Sequence, residues 1–290
     1  MLLTRLRGAA GVVDAPRTAQ QRRERRDAEA KEAGARGEGF RQSRNAETTY
    51  GRSLRQLARQ VARIVESIVG EAKEDALSPA TQARVEAALS AYAKAIAPWA
   101  RATTSRMIAE VDRRDRTAWA AYTKHMGVAL RAELQRTPIG AQVQELLQSQ
   151  VGLITSLPVE AAQRVHEKTL EAITLGQRAP EHEAEIRAAL AEAHPAATEA
   201  WLLNRATLIA RTETARTASV LTQTRAEHVG SQGYVWRTAR DINVRPSHRA
   251  LEGSVQRWDA PPLSDPPDHH SHPGQIWNCR CVALPVLPGG

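Results

Sequence analysis

Apolar residues spaced three and four apart, in one segment after another, restrict the fold of this chain most. Leu54, Leu57, Val61, Ile64, Val65 and Ile68 fall on one face of a helix, and such a stripe persists only when another element covers it. Ser78-Pro79 predicts a restart, with serine as N-cap and proline in the first turn, and Val85, Leu89, Tyr92 and Ile96 as its buried face. Pro98 interrupts, and residues 99–136 read as one long helix with Ile108, Val111, Trp119, Tyr122, Met126, Leu130 and Leu134 roughly on one side. Pro138 is expected to open another helix, through Ile154, and Pro158 the next, through Val165, Leu170 and Ile173. Residues 176–180 read as a break before a short helix to about Ala193, and Pro195 starts a further one through Trp201, Leu208, Ile209, Val220 and Leu221. Aromatics make up only 4% of the chain. Alanine and leucine must therefore fill most of the core, which favours helices over sheets.

The character changes after Gly230. Residues 233–236, 254–258 and 282–286 are strand-like, separated by prolines, glycines and histidines, and Trp236, Trp258 and Trp277 all fall here. The expected fold class is therefore α+β: a mainly α-helical N-terminal and central part followed by a small β-containing module that needs a staple beyond its own small core. Three regions follow: a basic flexible arm over 1–45, a helical domain over 46–195 and the C-terminal module over 196–290.

Charge is uneven. Residues 1–60 hold 14 Lys+Arg against 7 Asp+Glu, so almost all of the net +8 sits there. Arg22, Arg23, Arg25 and Arg26 form its densest run; such a run contacts nucleic acid or an acidic protein face, or is simply a solvated arm. Arg5 and Arg7 precede an apolar patch at 9–13 that is too short for a signal peptide. No apolar run approaches the roughly 18 residues of a membrane span, so neither secretory export nor a membrane partner is expected.

The two cysteines, Cys279 and Cys281, are separated by one residue. A disulfide across so short a loop is strained, which predicts reduced thiols and synthesis in the cytoplasm. His248, His272, Cys279 and Cys281 together form a candidate tetrahedral zinc set. Both thiols could reach one ion only through a tight loop, and the alternative is that they are small buried hydrophobes beside a polar histidine loop containing His269 and His270. Upstream, Arg211, Glu213 and Arg216 lie on a predicted helix. Glu213 and Arg216 are spaced to pair on its surface, and Arg211 and Glu213 point in different directions, so one of them should turn toward the C-terminal module.

The order Ile209-Ala210-Arg211-Thr212-Glu213-Thr214-Ala215-Arg216, Trp236-Arg237-Thr238, Asp241, Val244-Arg245-Pro246-Ser247-His248-Arg249-Ala250-Leu251-Glu252-Gly253, His272-Pro273-Gly274-Gln275 and Cys279-Arg280-Cys281 closely resembles the phage Mu F-like head-morphogenesis domain over about residues 200–287. The family often has Asp where this chain has Glu252. The signature positions carried over are Arg211, Glu213, Asp241, Arg245, His248, Gly253, His272, Cys279, Arg280 and Cys281. The resemblance implies a minor capsid protein in the virion, assembled in the host cytoplasm with the portal protein and the major capsid protein, and acting in head assembly and DNA packaging or ejection. It implies no catalytic activity. A basic arm suits a DNA-filled head, because arginines give salt-sensitive affinity for phosphate irrespective of sequence. The competing reading is a zinc-dependent hydrolase or nuclease carried in the virion, with Asp241 or Glu213 as general base. Against it, the chain has no His-Glu-x-x-His helix and no paired-carboxylate motif. A free-standing DNA-binding regulator lacks helix-turn-helix or zinc-finger spacing.

Overall fold

The computed structural model describes residues 38–72, 78–124, 126–176, 191 and 195–288. The arginine run at 22–26 and the short helix expected before Ala193 lie outside the described residues. A 3-10 turn at Glu38–Phe40 leads into α1 (Arg44–Ala72), followed by α2 (Pro79–Ala95), α3 (Ala97–Tyr122), α4 (Val128–Arg136), α5 (Gly140–Gly176) and α6 (Pro195–His228). The remainder is β1 (Gly233–Arg237), α7 (Pro246–Ala250), β2 (Val255–Arg257), β3 (Leu263–Asp265), β4 (His269–His270) and β5 (Val282–Val286). The mainly helical α+β architecture matches the expectation.

Most of the predicted stripes became the core, but Leu170 and Ile173 near the end of α5 are exposed. Leu54, Leu57, Val61 and Val65 of α1 are buried against Val85 and Leu89 of α2, Ile108 and Val111 of α3, Ile154 and Leu157 of α5, and Leu202, Ile209 and Leu221 of α6. α1 lies along α6 over most of its length. Ser78 caps α2 as expected, its side chain accepting from the Thr81 amide at 3.2 Å. Ser43 starts α1 in the same way, accepting from the Ala46 amide at 3.1 Å. The folded chain therefore begins ahead of residue 45: Phe40 is buried, edge-on to Trp119 at 5.3 Å and to Tyr122 at 5.5 Å.

Two helix boundaries differ from the expectation. The segment 99–136 is not one helix; α3 ends at Tyr122 and α4 starts at Val128. Thr123 closes α3 by donating its hydroxyl to the Trp119 carbonyl at 2.8 Å, and Gly127 precedes α4. Conversely, Pro158 opens no helix but sits inside α5. Proline there removes one i→i−4 hydrogen bond. Around it Thr155 and Ser156 donate to the Val151 and Leu153 carbonyls, at 3.0 and 3.1 Å.

A second core joins Phe40, near the start of the described residues, to the C-terminal module. Phe40, Trp119 and Leu134 meet Ala226, Tyr234, Trp236, Trp258, Ile276, both cysteines and Leu284. β1 is the middle strand of an antiparallel sheet in the order β2-β1-β5, pairing Tyr234 with Gln256 and with Pro285. Tyr234 and Trp236 are two apart and both fully buried, so one face of β1 supplies the core. The β3–β4 pair carries His269 and His270 on its exposed surface. β3, β4 and α7, each five residues or fewer, are too short to leave a periodic pattern.

Candidate functional site

α7 and the segment leading into β5 bring three signature side chains to one point. The donor atoms of His248, Cys279 and Cys281 all lie within 4.8 Å of one another, and all three residues are buried. His248 Nδ1 is 3.6 Å from the Cys279 sulfur and 3.5 Å from that of Cys281. No tight loop spans the two thiols. The turns come earlier, over 273–274 and 277–278, with Gly274 (φ 87°) and Asn278 (φ 57°) in the left-handed region. Cys279, Arg280 and Cys281 then alternate buried, half-exposed, buried, the two-residue period of an extended chain.

His272 does not join this group. It is buried nearby, with Nδ1 3.0 Å from the Tyr234 hydroxyl and its ring edge-on to Trp258 at 5.6 Å. Burial holds its pKa below the usual imidazole value, so it serves the aromatic core as a neutral ring. The four-donor set read from the sequence is thus three donors plus a core histidine.

Electrostatics separate the two thiols. A hydrogen bond from Cys281, opposed by burial and aided by His248, brings Cys279 well below the ordinary thiol range. Donating that bond, together with burial, pushes Cys281 up. The Gly274 amide also donates to the Cys279 sulfur at 3.3 Å. A side chain at 274 would press on the Ala215 carbonyl at 3.2 Å, so glycine is what lets this amide approach.

The remaining signature residues fasten the segments that carry the trio. Arg280 pairs with Asp241 through two contacts of 2.7 and 2.6 Å. Arg245 donates to the Trp277 carbonyl at 2.8 Å. Gly253 (φ 80°) donates its amide to the Trp236 carbonyl at 2.8 Å. Arg211 is the member of its pair that turns toward the module: it binds Glu47 at 3.2 Å and the Asn278 side chain at 3.4 Å, so it joins α1, α6 and the cysteine segment. Glu213 points the other way and is buried, which corrects its expected surface pairing with Arg216; burial raises its pKa while Arg216 acts against that. Neither proposed general base belongs to the His/Cys group, and Asp241 is held by Arg280.

Sequence reasoning missed several of these fasteners. Gln42 donates to the Cys279 carbonyl at 2.8 Å, and the Asn278 amide donates to the Thr212 hydroxyl at 3.2 Å. Glu252, noted only as a departure from the usual Asp, accepts from the Thr238 amide at 2.6 Å and from Arg240 at 2.8 Å. Its only sequence signal was acidity beside a glycine.

Hydrogen bonding to Arg280 holds Asp241 below the usual carboxylate range, and at Glu252 the bonds from Thr238 and Arg240 do the same against the opposing effect of burial. For depressed groups the stabilisation is present above the unfolded pKa and is lost as pH falls through the folded one. In acid titrations followed by tryptophan fluorescence, Asp241→Asn is expected to be less stable than wild type at pH 7. The gap should narrow as pH falls below the unfolded pKa near 3.8 and close only below the depressed folded pKa, where the carboxylate is protonated in both states.

Two cavities lie away from these residues. One, of about 380 Å³, is lined by Arg116, Trp119, Arg131, Leu134 and Arg225 among others, and another, of about 280 Å³, lies between α2 and α5. No described helix is long and apolar enough to cross a membrane.

Residues 163–284 match the family described as Phage Mu protein F like protein. A relative from Haemophilus influenzae, described as an uncharacterized protein, is 32% identical over 162 residues, which is 56% of this chain and 33% of the relative. The chain thus spans about a third of that relative's length. No solved structure matches.

Proposed function

We propose, from the match of residues 163–284 to the family described as Phage Mu protein F like protein, that the chain is a minor structural component of a phage head, associated with the portal or the head interior and acting in head assembly and DNA packaging or ejection. One observation carries the reading. Arg211, Asp241, Arg245 and Arg280 spend donors and acceptors on neighbouring side chains and on the backbone, while buried Glu213 keeps a carboxylate oxygen without a hydrogen-bond partner among the described residues. Arg211 goes to Glu47 and Asn278, Asp241 to Arg280, and Arg245 to the Trp277 carbonyl. None of them lines either of the two cavities described above. A family signature used in this way specifies a rigid building block.

The portal protein and the major capsid protein are the partners of this reading, with packaged DNA as a third. Residues 1–37 hold 9 Lys+Arg against 5 Asp+Glu, including Arg22, Arg23, Arg25 and Arg26. The truncation that tests DNA contact should stop at residue 37, because Phe40 and Ser43 belong to the folded body. Removing 1–37 is expected to lower the salt slope of duplex binding by about 3–4, one phosphate contact per arginine of the run. An unchanged slope would remove the arm from the account. The virion role is tested by mass spectrometry of gradient-purified particles: the chain should be present at a few copies per head, and its absence from both proheads and mature particles would overturn the reading.

A further inference from the structure

We infer that His248 Nδ1, Cys279 Sγ and Cys281 Sγ form a three-donor site for one zinc-class cation, a clamp that joins α7 to the segment entering β5. The inference goes beyond the head-protein reading and stands or falls independently of it.

The spacing of the donors is the first argument. Tetrahedral zinc with ordinary Zn–S and Zn–N bonds places a nitrogen and a sulfur donor about 3.5 Å apart. The two N···S separations here are 3.6 and 3.5 Å. A single Nδ1 proton cannot serve two sulfurs equally. A cation at the centre satisfies both at once.

Charge is the second argument. His248 and both cysteines are 2–3% exposed. A divalent cation with two thiolates and a neutral imidazole sums to zero, the state that a desolvated site tolerates best. Without it, the same space encloses a thiolate or a row of weakly partnered polar atoms.

The surroundings are the third. The Gly274 amide donates to the Cys279 sulfur at 3.3 Å, the kind of outer contact that holds a thiolate ligand in place. The Asp241–Arg280 pair fixes the residue between the cysteines. His248 lies edge-on to Trp236 at 5.3 Å, which fixes the ring. The module thereby gains a staple where its apolar core is small. Among the described residues three donors converge, which leaves the fourth position to water or to a further donor, since His272 is engaged with Tyr234.

The test is metal content and cobalt spectroscopy on the full chain purified under reducing conditions. About one zinc per chain is expected, and exchange into cobalt should give a thiolate-to-metal charge-transfer band with tetrahedral visible bands. His272→Ala should keep the metal, and Cys279→Ser with Cys281→Ser should bring it to background. Because the double variant could fail to fold, the folded wild type is also challenged with a chelator. Two thiols should then become reactive to a thiol reagent in step with zinc release. Zinc surviving in the double serine variant would mean adventitious binding, for example at the exposed His269 and His270, and would overturn the site. Wild-type protein that takes up no zinc with both thiols reduced, or that loses zinc in His272→Ala, would overturn it as well.

Discussion

Asp115→Ala should lower the stability of the folded chain by about 3–5 kcal/mol. Asp115, on α3, is 5% exposed and Arg225, on α6, is 1% exposed. The Arg225 guanidinium contacts both Asp115 and Asp112, and the Thr222 hydroxyl donates to Asp115 at 2.6 Å. Desolvation makes such a group a weak source of net stability, but removing one partner strands the other charge. After Asp115→Ala, Arg225 keeps only Asp112, which already accepts from Arg116 at 2.9 Å, and the Thr222 hydroxyl loses its acceptor. For a domain of this size the loss corresponds to a melting-temperature drop of about 10 °C. Replacing both charges, as in Asp115→Leu with Arg225→Met, should cost clearly less than the single change, because neither side is left unpaired. The carboxyl also responds to pH. Burial raises Asp115 to about 6 against the pull of Arg225 and Thr222. For a folded pKa raised above the unfolded value, the associated stabilisation is complete below the unfolded pKa near 3.8 and is lost as pH rises through about 6. Wild type should therefore gain on the doubly substituted chain between pH 8 and pH 5, as measured by urea denaturation.

Trp236→Ala is expected to cost a similar amount, about 3–5 kcal/mol. The indole is fully buried on the middle strand of the C-terminal sheet and packs with Tyr234, Trp258, both cysteines and Ala283. Its removal opens a cavity that the short strands on either side cannot fill. It also frees the His248 ring, which it meets edge-on. Near-ultraviolet circular dichroism should flatten, with the α1–α5 core retained. The control is Trp277→Ala: Trp277 is 47% exposed, over the Arg205 guanidinium, and its loss should change stability by about 0.5 kcal/mol or less.

Sequence alone carried the helical half well, because its stripes are long. Leu54 to Ile68 had no alternative period, and Ser78-Pro79 and Pro195 marked real starts. It failed where one side chain outweighs periodicity. The apolar spacing from Trp119 to Leu134 runs on through the break that Thr123 and Gly127 make. Pro158 reads as a boundary, although the surrounding helix is held on both sides by packing. At the site, residue type found His248, Cys279 and Cys281 but could not separate them from His272, because the choice depends on Tyr234, distant in sequence from both sets. The burial of Glu213 was equally invisible, since a carboxylate on a helix ordinarily faces water. The contacts of Gln42 and Thr212 with the cysteine segment span gaps that no local pattern reports.

We propose that this chain is built into phage heads and is needed to make them. The most direct test is to inactivate the gene in the element that encodes the chain and to count DNA-filled heads by electron microscopy, with the gene resupplied in trans as control. We expect DNA-filled heads to fall sharply, and resupply to restore them. Normal numbers of DNA-filled, infectious particles without the chain would contradict the account.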